Sequence, residues 1–122
     1  MSRKKILLAD DQDGVRELVG ATLGEEEFDL LQASDGEQAL KLARDNKPDL
    51  ILLDVMMPVL DGFQVCKQLK EDPDTRHIKI IMLTAKGSDS DKERGTSSGA
   101  DGYFVKPFSP LALLTQVHEI LD

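Results

Sequence analysis

The sequence contains no tryptophan, one tyrosine and four phenylalanines. Platforms on which bases or flat cofactors stack are therefore scarce. There is one cysteine, Cys66, so an internal disulfide is excluded, which fits a reducing compartment. Long apolar runs are missing too. The basic start Met1-Ser2-Arg3-Lys4-Lys5 is followed only by Ile6-Leu7-Leu8-Ala9. That is too short for a signal-peptide core or a membrane span. Positive charge is in deficit, 15 Lys and Arg against 23 Asp and Glu, giving a net charge of -8. Such a chain is repelled by phosphate backbones and anionic membranes. The expectation is a soluble cytoplasmic protein with no direct nucleic-acid or membrane contact. Any nucleic-acid role would come from a separate partner or domain. No glycine-rich phosphate cradle follows the first apolar run. His77 and His118 have no Cys or His partner at metal-ligand spacing, and no Ser-His-Asp order is evident.

What is present is an alternation. The 122 residues are the length of one domain, taken as 1–122, and can bury a core unaided. Five apolar runs, Ile6 to Ala9, Phe28 to Leu31, Leu50 to Leu53, Ile78 to Leu83 and Tyr103 to Val105, are separated by helix-length segments. The first, third and fourth lack strict alternation, as strands covered on both faces do. Val15, Leu18, Val19 and Leu23 keep a helical period in the first segment. Ser34-Asp35-Gly36-Glu37 reads as a capping box, with Ala39, Leu40 and Ala43 on one face of the second. Phe63, Cys66 and Leu69 line the third, where Cys66 reads as a small core side chain. The fourth, Lys86 to Gly99, offers no large apolar residue and predicts a weakly anchored helix. The fifth opens on Ser109 as cap and Pro110 as first residue, with Leu114, Val117 and Leu121 as its buried stripe. The pattern is (βα)5, a single doubly wound α/β domain.

In open parallel sheets ligands bind beyond the carboxyl ends of the strands, where strand order reverses. At those ends stand Asp10 and Asp11 after the first run, Asp54 after the third, Thr84 after the fourth and Lys106 after the fifth. Taken singly, each has an ordinary explanation; Asp11 or Asp13 can simply cap the next helix. Taken together, they converge on one rim. Three acids there repel one another until a hard divalent cation arrives, and Mg²⁺ accepts one or two carboxylates, waters and a phosphate oxygen. One carboxylate can then attack phosphorus while Lys106 supplies an ammonium and Thr84 a hydroxyl.

These residues sit in motifs that resemble the receiver domains of two-component response regulators, over essentially the whole length. The motifs are Ile6-Leu7-Leu8-Ala9-Asp10-Asp11, Leu52-Leu53-Asp54-Val55-Met56-Met57-Pro58, Asp61-Gly62, Met82-Leu83-Thr84-Ala85, Gly99-Ala100-Asp101 and Lys106-Pro107-Phe108. Receiver domains are themselves a standard example of the strand-end rule, so the site's placement comes with the fold. The resemblance implies a flavodoxin-like fold with a five-stranded parallel sheet in order 2-1-3-4-5. It implies Asp54 as the phosphorylated nucleophile. It implies Mg²⁺, with Mn²⁺ as substitute, held by Asp11, Asp54 and the main-chain carbonyl of Met56, with Asp10 acting through water. Lys106 would pair with the phosphoryl group, and Thr84 and Tyr103 would form the switch. The implied donor is a phosphohistidine on a sensor histidine kinase or phosphotransfer protein. An unidentified downstream protein would read the face formed by the fourth helical segment, the fifth strand and the fifth segment. The Lys106-Pro107 bond is expected to be cis. The protein would not be an enzyme beyond its own phosphorylation and dephosphorylation.

Two departures from the family stand out. Thr96, Ser97 and Ser98 stand in the fourth segment where relatives often place a large apolar residue and alanine. Ala112 and Gln116 stand where DNA-binding relatives carry Glu and Arg, which puts that style of dimer in doubt and leaves Leu111 and Leu113 for another partner. Met56 and Lys86, two residues beyond Asp54 and Thr84, flank the site. Met56 cannot orient a water, so a long-lived phosphoryl state is expected. Other readings are weaker. A small-molecule phosphohydrolase would carry an acid at Met56. A flavodoxin-like cofactor binder needs a phosphate-cradling first loop. A phosphorylation-independent binding module would have lost an acid or Lys106.

Overall fold

The apolar runs become strands whose side chains point alternately to two covered faces. The computed structural model describes residues 4–24, 28–84, 99–106 and 109–121. The strands are β1 (Lys4–Ala9), β2 (Phe28–Ala33), β3 (Leu50–Asp54), β4 (Lys79–Thr84) and β5 (Gly102–Val105), and the helices are α1 (Asp13–Leu23), α2 (Gly36–Asn46), α3 (Gly62–Glu71) and α4 (Pro110–Leu121). All strand pairs are parallel, in the order β2-β1-β3-β4-β5. This is the sheet order that the family resemblance implies, on the (βα)5 pattern read from the apolar runs. The fifth helical segment is therefore α4. The expected weak helix between Lys86 and Gly99, the Lys86 position and the Lys106-Pro107 bond involve residues outside those described.

Leu7, Ala9, Ile51, Leu53, Ile80 and Met82 enter one core layer with Ala39, Ala43, Phe63, Cys66 and Leu69 from α2 and α3. Their neighbours Ile6, Leu8, Leu50, Leu52, Ile81 and Leu83 enter the other, with Val19, Leu23, Leu113 and Val117 from α1 and α4. Continuous apolarity thus records burial on both faces.

Local details differ from the sequence reading. The N-cap of α2 is Asp35, whose carboxylate accepts from Gln38 N–H at 2.8 Å, while Gln38 returns a bond to Ser34 N–H at 3.0 Å. The cap falls one residue after Ser34, because both Ser34 and Asp35 are competent caps and the backbone selects between them. Gln38 takes the place expected of Glu37 without closing the box on the cap's own N–H. Neither Asp11 nor Asp13 caps α1; Gln12 holds that position and makes no side-chain cap bond. In α4 Leu113 is fully buried and Leu114 only partly, so Leu113 belongs to the core stripe and Leu111, 73% exposed, does not. Leu18 of α1 is exposed, not part of its buried face.

Candidate functional site

Parallel pairing sets the strand tips side by side. Ala9 is level with Leu53, so the next residues, Asp10 and Asp54, leave adjacent strands together. Asp54 is level with Leu83, and Thr84 with Val105. Lys106, one residue beyond β5, is tied to the tip of β4 by its N–H bonding to the Thr84 carbonyl at 2.6 Å. The α3 N-terminus closes the loop after β3. Asp61 caps it with a reciprocal bond to Gln64, and Gly62 N–H donates to the Val55 carbonyl at 2.9 Å.

Asp10, Asp11 and Asp54 each place a carboxylate oxygen within 4.8 Å of the others. Asp10 and Asp54 are buried, and Asp11 is exposed. The Lys106 ammonium lies 2.6 Å from Asp10 Oδ2 and 3.4 Å from Asp54 Oδ1, with Gln12 Oε1 at 3.4 Å. Met56 N–H donates to Asp54 Oδ1 at 3.3 Å. Burial pushes the Asp54 carboxyl from 3.8 up to about 6, and the Asp10 charge adds to the rise. Lys106 and the Met56 N–H oppose it without prevailing. A single ammonium therefore leaves the cluster short of positive charge. The donor set is all oxygen, compact and anionic, which fits a hard divalent cation.

Of the five strand-end residues from the sequence, the side chains of Asp10, Asp11, Asp54 and Lys106 meet here, and strand pairing sets Thr84 on the same rim. Thr84 is buried, and among the described residues its Oγ1 has no hydrogen-bond partner. A buried hydroxyl left in that state costs about 1–3 kcal/mol. Tyr103, which could have been an exposed strand aromatic, is instead partly buried against the α2–α3 core layer. Met56 projects outward, 72% exposed, beside the nucleophile candidate. Two neighbours of the acids escaped the sequence reading. Gln12 accepts from Lys106, and Arg16 Nη1 donates to the Asp10 carbonyl at 2.6 Å. The Arg16–Asp13 pair was legible as an i, i+3 spacing, but its reach back to Asp10 was not.

Comparison with known proteins bears on this geometry. Residues 6–118 match the family model for the response regulator receiver domain. The chain belongs to that family. Among curated relatives of this receiver domain is the alkaline phosphatase synthesis transcriptional regulatory protein PhoP of Bacillus subtilis, 48% identical over 97% of this chain and 48% of that protein. The transcriptional regulatory protein SrrA of Staphylococcus aureus is 44% identical over 96% of this chain and 47% of its own length. The chain thus spans about half the length of the curated relatives it matches. A putative response regulator from Chloroflexus aurantiacus superposes with a TM-score of 0.92 at 37% identity, covering 98% of both chains. The chemotaxis response regulator CheY4 of Vibrio cholerae does so with 0.91 at 34% identity, covering 98% of this chain and 99% of its own. The receiver domain is a component of two-component systems, and its family supports a phosphorylation-dependent signalling switch. Among the described residues no helix is long and apolar enough to cross a membrane.

Proposed function

We propose that this chain, as one receiver domain over 1–122, is a Mg²⁺-dependent switch in which Asp54 takes a phosphoryl group from a phosphohistidine donor. The observation that carries the reading is the meeting of Asp10, Asp11 and Asp54 within 4.8 Å, with Lys106 beside them. Asp11, Asp54 and the Met56 carbonyl would hold the ion, Asp10 acting through water. Mg²⁺, or Mn²⁺ in its place, supplies charge neutralisation to the phosphoryl oxygens when bound.

The rest is done by the chain's own residues. An Asp54 carboxylate oxygen attacks phosphorus, the phosphorus–nitrogen bond breaks, and the histidine leaves. Lys106 already faces Asp54 across 3.4 Å and places its ammonium against the added charge. The Thr84 hydroxyl turns to a phosphoryl oxygen and gains the partner it lacks among the described residues. Its movement opens space that Tyr103, three residues before Lys106, fills. The altered face of β5, α4 and the segment between β4 and β5 is read by a downstream protein. Met56, apolar and exposed, orients no water, so the phosphoryl state is long-lived.

The donor is a sensor histidine kinase or a phosphotransfer protein, and the setting is cytoplasmic. The chain performs only its own phosphorylation and dephosphorylation and is not an enzyme on other substrates. The relatives' names as transcriptional regulators describe proteins about twice as long. With a net charge of -8, the receiver part itself does not seek nucleic acid. The test is incubation with Mg²⁺ and a small acyl-phosphate donor, followed by intact-mass measurement. Wild type should gain one phosphoryl group, and Asp54→Asn or wild type in chelator should gain none. Equal uptake by Asp54→Asn would overturn the assignment.

A further inference from the structure

The corner between β1 and α1 is built in an unusual way. Gln12 occupies the N-cap position, yet its side chain leaves the helix uncapped and reaches Lys106 instead. Its N–H donates to Asp10 Oδ1 at 2.9 Å. Arg16, one turn into α1, ties the corner together from behind. Its N–H donates to the Gln12 carbonyl at 3.2 Å, Nη1 to the Asp10 carbonyl at 2.6 Å and Nη2 to the Asp13 carboxylate. The Arg16 side chain is 18% exposed, so the guanidinium is packed in place, not trailing in solvent.

We propose that Arg16 is a positioning residue for the cation site, acting through the peptide between Asp10 and Asp11. The inference rests on the cation reading given above. The Asp10 carbonyl belongs to that peptide, which is planar, so a bond to it fixes the plane from which both aspartates depart. Asp11 is exposed and Asp10 fully buried, and the corner directs these adjacent side chains to one cluster. Arginine suits the task because its planar fork addresses the carbonyl and the Asp13 carboxylate together. Lysine would retain the charge but not the fork.

The alternative role for Arg16 is that of a plain counter-ion, and the two roles have opposite signs. A fixed positive charge beside a cation site weakens cation binding by repulsion, so its removal tightens binding. A group that orients ligands strengthens binding, and its loss typically costs ten- to a hundredfold in affinity. The experiment is a Mg²⁺ titration of the full chain followed by amide NMR shifts of residues in the β1–α1 corner. It is run on wild type, Arg16→Lys and Arg16→Gln, with Asp11→Asn as the control for the site itself. Circular dichroism establishes that each variant is folded, and Arg16→Lys carries the test if Arg16→Gln is not. Positioning predicts that Lys and Gln both weaken Mg²⁺ binding by roughly tenfold. Tighter binding by Arg16→Gln with Arg16→Lys unchanged, or wild-type affinity in both, overturns the proposal. Wild type that binds no Mg²⁺, or Asp11→Asn that binds as well as wild type, overturns the underlying cation reading instead.

Discussion

Asp54 carries two opposed demands in one side chain. In the role proposed for it, Asp54 must be anionic to attack phosphorus, yet it is buried beside Asp10, and its pKa rises from 3.8 to about 6. The consequence for stability has a definite sign. Below 3.8 the folded and unfolded chains both keep the proton, and the site adds no cost. As pH rises from there to about 6, the unfolded carboxyl ionises first, so stability falls. Above that the full cost is present. Asp54→Asn in chelator should therefore raise the neutral-pH melting temperature. The gain is on the order of 1 kcal/mol after allowance for solvent at the rim, roughly 3–6 °C. It should shrink towards about pH 4, which a series of thermal melts reads directly. A variant that melts at or below wild type at neutral pH would show that Lys106 already balances the charge. At this scale the sequence was most legible where a strand ends. Asp10, Asp54, Thr84 and Lys106 each follow or close an apolar run, and strand ends in such sheets share a rim. Arg16 and Gln12 were opaque because their contacts depend on the path of a turn, which residue spacing does not encode.

The elements place the site by close approach. A Cβ added to Gly62, the first residue of α3, would lie 2.3 Å from the Asp54 carbonyl oxygen and 2.9 Å from Val55 Cα. Backbone cannot yield there as a flexible side chain would, so only glycine lets α3 begin against the tip of β3. Gly62→Ala should destabilise by about 2 kcal/mol or more, read by urea unfolding. A fully stable Gly62→Ala would mean that the loop after Asp54 is not fixed by this contact. The type and order of the described elements were readable from apolar runs and helical spacing. Their finer boundaries were not. The cap of α2 moved from Ser34 to Asp35 because adjacent residues could both cap. Leu113 displaced Leu114 at the centre of the α4 face, and Leu18 left the α1 face. A helical stripe identifies an apolar side, but the docking of the helix on the sheet sets which residue on that side is covered.

For the whole molecule, charge dominates. A net charge of -8 is compounded by three acids converging on one rim. An ion that binds only the folded state stabilises it by linkage. Millimolar Mg²⁺ should raise the melting temperature of wild type measurably. Asp11→Asn should raise the metal-free value by relieving repulsion and abolish the response to Mg²⁺. An Asp11→Asn protein that still responds would remove Asp11 from the ligand set. The proposed switch requires acids from separate strand tips to share one ion beside the Asp54 oxygen that would attack phosphorus. Anomalous diffraction from crystals soaked in Mn²⁺ tests this most directly. The expected result is one anomalous peak bridging the carboxylates of Asp11 and Asp54, next to the Met56 carbonyl. A peak elsewhere on the surface, or none at this rim with Mn²⁺ in excess, would contradict it.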